Sequence, residues 1–248
     1  MASSFEEFEV QHLSDPLFSL GGHPIAFTNS ALFMFLAVFA CTALMVLAVK
    51  PQAVVPGRWQ MLAEKIYDLV GGFLESGAGE KARPFFPLVF TIFTFIFFCN
   101  LFGMLPGSLA VTSHVIVNFA IALILFAVII IVGVVRHGVK FLKLFVPSGV
   151  PLLMIPPMAV IEFLSFSVRP FSLSIRLFGN MLAGHLVLQA FTGLVISLLA
   201  MGWLAGLSVL PLFANIVIIG FEFFIAFLQA YIYAVLASVY LHDAIECH

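Results

Sequence analysis

Three stretches of the chain, 27–49, 84–105 and 114–135, are apolar almost without interruption. Each is long enough to cross a hydrocarbon core of ~30 Å, which takes ~20 residues of helix. The segment 57–76 has a different pattern. Trp59, Leu62, Ile66, Leu69 and Phe73 recur at helical spacing, with Glu64, Lys65, Asp68 and Glu75 between them. That alternation predicts an amphipathic helix at the membrane surface, either lying in the interface or packed on the protein there. Ahead of the first span, Gly21-Gly22-His23-Pro24 reads as the turn into it.

Two further apolar stretches are too long for an ordinary crossing. At 1.5 Å per residue, 155–201 would extend ~70 Å and 206–245 ~60 Å, about twice the bilayer core. They must lie far from the membrane normal or break, whereas tilts average roughly 20°. Pro156 and Pro157 open the first of them, where the first helical turn tolerates proline. Hydropathy alone permits a break at Arg169-Pro170. The polar residues favour a single helix, kinked at Pro170. Glu162, Ser165, Arg169, Ser172, Arg176 and Asn180 are spaced 3, 4, 3, 4 and 4, which is one helical face, and a turn at Pro170 would scramble it. The last stretch repeats the device. Ser208, Asn215, Glu222 and Gln229 fall every seven residues, and Tyr233, Tyr240 and Asp243 continue the face. The short link around Gly202-Trp203 makes the two helices antiparallel neighbours, whose stripes face a shared interior or a third partner. The expected fold is therefore an all-α polytopic membrane protein. It has three ordinary transmembrane helices, one interfacial amphipathic helix and a hairpin of two long, strongly tilted helices. Together 1–248 form one integral membrane domain, with 1–26 as an outside segment.

Composition sharpens this. Of 248 residues 63% are hydrophobic and 9% charged, with a mean hydropathy of +1.20, against roughly 25% charged in a soluble domain. A water-soluble surface is excluded. The 30 phenylalanines suit a lipid-facing exterior. The few basic residues are unevenly placed. Lys50, Arg58, Lys65, Lys81 and Arg83 lie between the first and second spans, and Arg136, Lys140 and Lys143 after the third. Positive residues mark cytoplasmic loops, so the N-terminus is expected outside and the C-terminus in the cytoplasm. The first ten residues carry Glu6, Glu7 and Glu9 and no Lys or Arg, so neither a cleavable secretory signal nor a transit peptide is expected. Cys41, Cys99 and Cys247 are scattered and form no metal or redox spacing.

Arg169 and Arg176 fall inside apolar sequence, as do Glu162, His185 and Glu222. An ionisable group at membrane depth costs at least ~2.5–3.5 kcal/mol on insertion scales. Five of them in two stripes point to a hydrated ion path rather than to structural pairing alone. Arg176 lies mid-helix and stays charged, because a guanidinium pKa exceeds ~12. It is a fixed positive charge, not a proton relay. Arg169 is placed to pair with Glu162 on its own stripe. His185, half a revolution away from Arg176, faces elsewhere and towards Glu222; a histidine–carboxylate pair passes protons near neutral pH, or stands as a static buried pair. Asn180, Gln229 and the serines orient water or hydrogen-bond the arginine. His114 reads as interfacial or as channel lining, and Asp243 as cytoplasmic exit or solvated tail.

The run Ser172-Leu-Ser-Ile-Arg176-Leu-Phe-Gly-Asn180-Met-Leu-Ala-Gly-His185 resembles the signature of subunit a of F-type ATP synthases. Phe-Cys-Asn100-Leu-Phe-Gly-Met-Leu-Pro106, Leu228-Gln229-Ala-Tyr-Ile-Tyr233 and Glu162 support it. The resemblance implies a membrane stator beside a rotating ring of c subunits, with two aqueous half-channels that do not meet. It also implies peripheral-stalk b subunits and, through them, the soluble F1 catalytic sector as partners, besides membrane lipid. It implies no cofactor, no metal, no nucleic acid and no catalytic site in this chain. Arg176 corresponds to the family's essential arginine. Asn180 and Gln229 correspond to positions at the interface with the ring, and Glu162, His185 and Glu222 to half-channel positions. In some bacterial members an acidic residue stands where this chain has His185, and a basic one where it has Glu222. Arg169, Ser172, Asn215, Tyr233, Asp243, His114 and Asn100 complete the set as candidate lining residues. The implied location is a bacterial plasma (inner) membrane, with the mitochondrial inner membrane as the alternative. The competing classes have less behind them. A secondary ion-coupled transporter would show internal repeats, and none is convincing. An intramembrane enzyme would need a nucleophile with its base or a metal cluster, and neither HExxH nor GxSxG occurs.

Overall fold

The computed structural model of the chain describes residues 18–20, 23–25, 28–49, 57–104, 114–138, 154–203 and 205–245. Among these, everything but one short hairpin and a few turns is helical. The hairpin pairs β1 (Phe18–Leu20) with β2 (His23–Ile25) antiparallel, Phe18 opposite Ile25 and Leu20 opposite His23. The expected turn Gly21-Gly22-His23-Pro24 is thereby corrected. His23 and Pro24 belong to a strand, and only Gly21 and Gly22, which lie outside the described residues, separate the two strands. Gly-Gly is a two-residue hairpin signal, and it outweighs the loop signal of His-Pro.

Six helices follow: α1 (Asn29–Val49), α2 (Arg58–Ala78), α3 (Phe86–Gly103), α4 (Val115–His137), α5 (Ile155–Ala200) and α6 (Val209–Ile245). All but α2 are long and apolar enough to cross a membrane, α3 and α6 together with the 3-10 turns that precede them. Thr28 and Asn29 start α1: their side-chain oxygens accept from the Ala31 and Ser30 amides at 3.4 and 2.9 Å, satisfying donors that a helix start leaves open. Gly79 ends α2. Its φ of 69° is one a side chain disfavours, and its N–H closes the last turn onto Glu75 O at 3.1 Å. A 3-10 turn, Glu80–Phe85, then leads into α3.

Helix α5 runs 46 residues without interruption, Pro170 included. Proline deletes one main-chain donor and crowds the preceding turn, yet Pro170 is buried and the helix continues on both sides. The polar face of the sequence and the continuity of this helix agree.

The chain divides into two compact units. The first comprises Met1–Ala43, Phe95–His114 and Leu177–Gln229; the second Leu44–Thr94, Val115–Arg176 and Ala230–His248. In the first, Ile96, Cys99, Leu177, Met181 and Ala226 are buried, and Phe97 meets Phe223 and Phe227 edge-on at 6.4 and 6.3 Å. In the second, α2 packs on α6 through small residues. A Cβ added at Gly77 would sit 3.0 Å from Ser238 Cβ, and Ala63, Ala78, Ala230, Ala234 and Ala237 are buried. Small side chains let backbones approach closely where no hydrophobic effect drives helices together. Only part of the apolar stripe of α2 packs: Phe73 meets Tyr231 edge-on at 4.7 Å and Ile66 and Leu69 are half-buried, whereas Trp59 and Leu62 remain exposed and Val70 and Leu74, outside the stripe, are buried.

Candidate functional site

The two polar stripes have opposite fates. Ser208, in the 3-10 turn ahead of α6, and Glu222, Gln229, Tyr233 and Tyr240 on α6 are buried, and Asn215 and Asp243 half-buried. On α5, Ser165, Ser172 and Arg176 are exposed, and Glu162, Arg169 and Asn180 half-buried. One stripe is covered by the chain itself and the other is left open.

In the second unit the open stripe starts with an ion pair. Arg169 Nη2 lies 3.5 Å from Glu162 Oε1, as their spacing on one face predicts. The same guanidinium lies over the Tyr240 ring at 4.6 Å and near the Phe166 ring at 5.5 Å. Phe126 buttresses both rings, with centroids 5.3 Å away. Arg169 is therefore caged by one carboxylate and two aromatic faces, a stable place for a cation that apolar surroundings would otherwise penalise. Tyr240→Leu in an Arg169→Gln double-mutant cycle is expected to show a coupling of about 1 kcal/mol in thermal unfolding of the purified chain. Tyr240→Phe, which keeps the ring, is expected to show almost none.

Two turns further on, Arg176 is different. It is exposed, and among the described residues it has no hydrogen-bond or ion-pair partner. Exposed Phe171 and Ile175 precede it, while Leu177 after it is wholly buried. Arg169, Ser172 and Arg176 of α5 border a cavity of about 380 Å³ whose other wall is Tyr231, Ile232, Val235, Leu236 and Tyr240 of α6. The guanidinium thus stands at the edge of a mostly apolar hollow, on a helix of membrane-spanning length. Tyr233, which follows Ile232 of that wall, is completely buried, with a hydroxyl that has no partner among the described residues.

The first unit holds the remaining candidates. Glu222 is 7% exposed, and neither of its carboxylate oxygens accepts a hydrogen bond from a described residue. The carboxylate lies against Gly184: a Cβ built there would collide with Oε1 and stand 3.0 and 3.1 Å from Cδ and Cγ. Glu222 thus occupies the space that any side chain at Gly184 would fill. His185, the next residue, is half-buried. No hydrogen bond joins it to Glu222. Asn215 Nδ2 donates to Thr192 Oγ1 at 3.0 Å, and Thr192 in turn donates to Leu188 O at 2.8 Å. Asn100 is fully buried and donates to Ala226 O at 3.3 Å, tying α3 to α6. Gln229 is buried, and both its amide atoms lack partners among the described residues. His114 directly precedes α4; it is half-buried, and its Nε2 has no hydrogen-bond partner among the described residues.

Sequence reasoning missed Gly184 and Thr192. Gly184 was visible only as part of the signature run, since a glycine's role in making room shows only once its neighbour is placed. Thr192 is itself exposed on α5 and carries no periodic signal. Among the described residues no group of three or more His, Cys, Asp or Glu is arranged to hold a metal ion.

Known proteins match this chain along almost its whole length. The family model described as ATP synthase A chain covers residues 31–242. ATP synthase subunit a of Pelagibacter ubique is 44% identical over 243 residues, 98% of this chain and 97% of its own. Those of Rhizobium rhizogenes and Mesorhizobium japonicum are each 46% identical over 228 and 230 residues, 92% of this chain and 91% of theirs. With five helices of spanning length and this extent of identity, the chain is a multi-pass membrane protein that belongs to the ATP synthase A chain family.

Proposed function

We propose that this chain is the proton-translocating stator of a rotary ATP synthase. It is not an enzyme by itself but a non-catalytic membrane subunit of that complex. The observation that carries the reading is the exposure of Arg176. A guanidinium does not lose its proton, and leaving it against lipid costs several kcal/mol. Nothing in the described chain compensates it. The stripe it occupies therefore faces a carboxylate from another chain, and a carboxylate carried by a ring of c subunits meets that need. Deprotonated, the rotor carboxylate is stabilised opposite Arg176; protonated, it is neutral and can turn into lipid.

In this reading the remaining polar residues line two separate water paths. Glu222, His185, Asn215 and Gln229 lie in the first unit, and Glu162, Ser172, Tyr233 and Asp243 in the second, with Arg169 held in its aromatic cage. Arg176 is the last residue of the second unit along α5. In this reading His114 and Glu222 belong to the outside half-channel, and Glu162 and Asp243 to the cytoplasmic one. Asn180, half-buried on the α5 stripe, belongs to the surface that faces the ring. A fixed cation between the half-channels repels protons and stops a direct leak. In this reading the basic residues between 50 and 83 and between 136 and 143 lie on the cytoplasmic side of a bacterial plasma membrane, which supports an N-terminus outside and a C-terminus in the cytoplasm. α5 and α6, too long for the bilayer thickness, lie strongly tilted, and α2 lies at the cytoplasmic surface. Peripheral b subunits connect the chain to the soluble F1 sector.

Cross-linking in the intact complex tests this. Cysteines at Ser172 and Asn180 are expected to join to c subunits. A cysteine at Phe163, exposed but nine residues and half a revolution away from Ser172, is expected not to. The reverse pattern would exclude the stripe as the rotor-facing surface.

A further inference from the structure

A second hollow lies in the other polar region of the second unit, where α2 ends and α3 begins. Its volume is about 410 Å³, within the range of ~300–1,000 Å³ typical of small-ligand pockets. Gly79, at its positive φ, turns the chain so that Glu75 at the end of α2 and Glu80 and Arg83 of the 3-10 turn border the same space. Among the described residues none of these three charges has an ion-pair partner. Tyr67 and Phe86 form the apolar wall, their ring centroids 4.4 Å apart, and Phe90 extends it along α3 at 6.4 Å from Tyr67. The hollow therefore has two carboxylates, one guanidinium and an aromatic lip that runs onto a membrane-spanning helix.

We infer that this pocket holds the headgroup of a zwitterionic membrane lipid, a phosphoethanolamine, with its acyl chains laid along the Tyr67–Phe86–Phe90 wall. The Arg83 fork matches a phosphodiester. Glu75 and Glu80 accept hydrogen bonds from a primary ammonium, which has three donors. An anionic headgroup without an amine would satisfy Arg83 but leave two carboxylates beside added negative charge. The charge pattern thus selects an ethanolamine over a glycerol headgroup. The depth also suits a headgroup: Arg83 stands three residues ahead of α3, where apolar sequence begins. The inference rests on the membrane-surface position of α2 proposed above, and it goes beyond proton movement altogether.

Native mass spectrometry of the full-length chain in detergent tests it, with phosphatidylethanolamine and phosphatidylglycerol of the same acyl composition as probes. The chain is expected to retain the ethanolamine lipid preferentially. Arg83→Gln is expected to lower that retention about tenfold. Arg136→Gln, which removes a guanidinium that lies over Phe85 and does not border the pocket, is expected to leave it unchanged. Glu75→Gln with Glu80→Gln is expected to erase the preference between the two lipids. Equal retention of both lipids by the unaltered chain overturns the proposal, as does an Arg83→Gln loss no larger than that of Arg136→Gln. Water-soluble glycerophosphoethanolamine is expected to displace the bound lipid, and failure to displace it in excess overturns headgroup recognition. This competition needs no membrane, so it reads the pocket independently of where α2 lies.

Discussion

Replacing Arg176 by alanine is expected to abolish proton-driven ATP synthesis while the complex still assembles. The two halves of that expectation have separate physical grounds. Assembly survives because Arg176 holds nothing in the fold: it is exposed and makes no hydrogen bond or ion pair with a described residue, while packing at this level is borne by Leu177, which is wholly buried. On the proposed reading, synthesis is lost because the alanine offers no cation to a deprotonated rotor carboxylate, and no barrier to protons between the half-channels. Each proton that leaks wastes ~2.3 kcal/mol per 100 mV of membrane potential. Arg176→Lys is expected to be nearly as severe, since an ammonium lacks the guanidinium's fork and sheds its proton when desolvated. ATP synthesis in inverted membrane vesicles, read beside the abundance of intact complex on native gels, checks both halves. Near-normal synthesis in the alanine variant would exclude the stator reading of Arg176.

The long-range plan of the chain was legible because the bilayer simplifies sequence. Spans of about 20 apolar residues have few other uses, and the helices of spanning length fall close to the hydrophobic runs. The continuity of α5 was legible for a subtler reason. Local chemistry at Arg169-Pro170 points to a break, but six polar residues from Glu162 to Asn180 hold one phase through it, and that phase is meaningful only on an unbroken helix. The β1–β2 hairpin was misread because His23-Pro24 signals a turn by sequence, whereas main-chain pairing puts both residues in a strand.

The site divides in the same way. The stripes themselves, and the Glu162–Arg169 pair, follow from periodicity. Which stripe is covered does not, because covering depends on neighbours distant in sequence. Nor could spacing show that Arg169 sits in an aromatic cage while Arg176, seven residues later, stands open. Tyr240 and Phe126 come from α6 and α4. Two arginines with the same sequence context are thus separated into one that the chain satisfies and one that has no hydrogen-bond or ion-pair partner among the described residues.

Gly184→Ala is expected to slow passive proton flux through the membrane sector about tenfold or more, close to the effect of Glu222→Gln. The methyl group would collide with the Glu222 carboxylate, and on the proposed reading a carboxylate pushed aside would no longer stand where it could receive and pass a proton. The glycine acts only through its neighbour, which makes a sharp test possible. In a Glu222→Ala background there is no long side chain to displace, so Gly184→Ala is expected to add almost nothing. A direct role for Gly184, or a general disturbance of α5, would instead make the two effects multiply. His185→Ala is expected to slow flux as well, beyond any effect of Asp68→Asn on the exposed face of α2. Flux measured in vesicles stripped of F1 separates these outcomes without requiring ATP turnover. Additive free-energy losses for Gly184→Ala and Glu222→Ala would show that the contact between them is packing alone. Non-additive losses would make Gly184 the residue that fixes where the buried carboxylate stands.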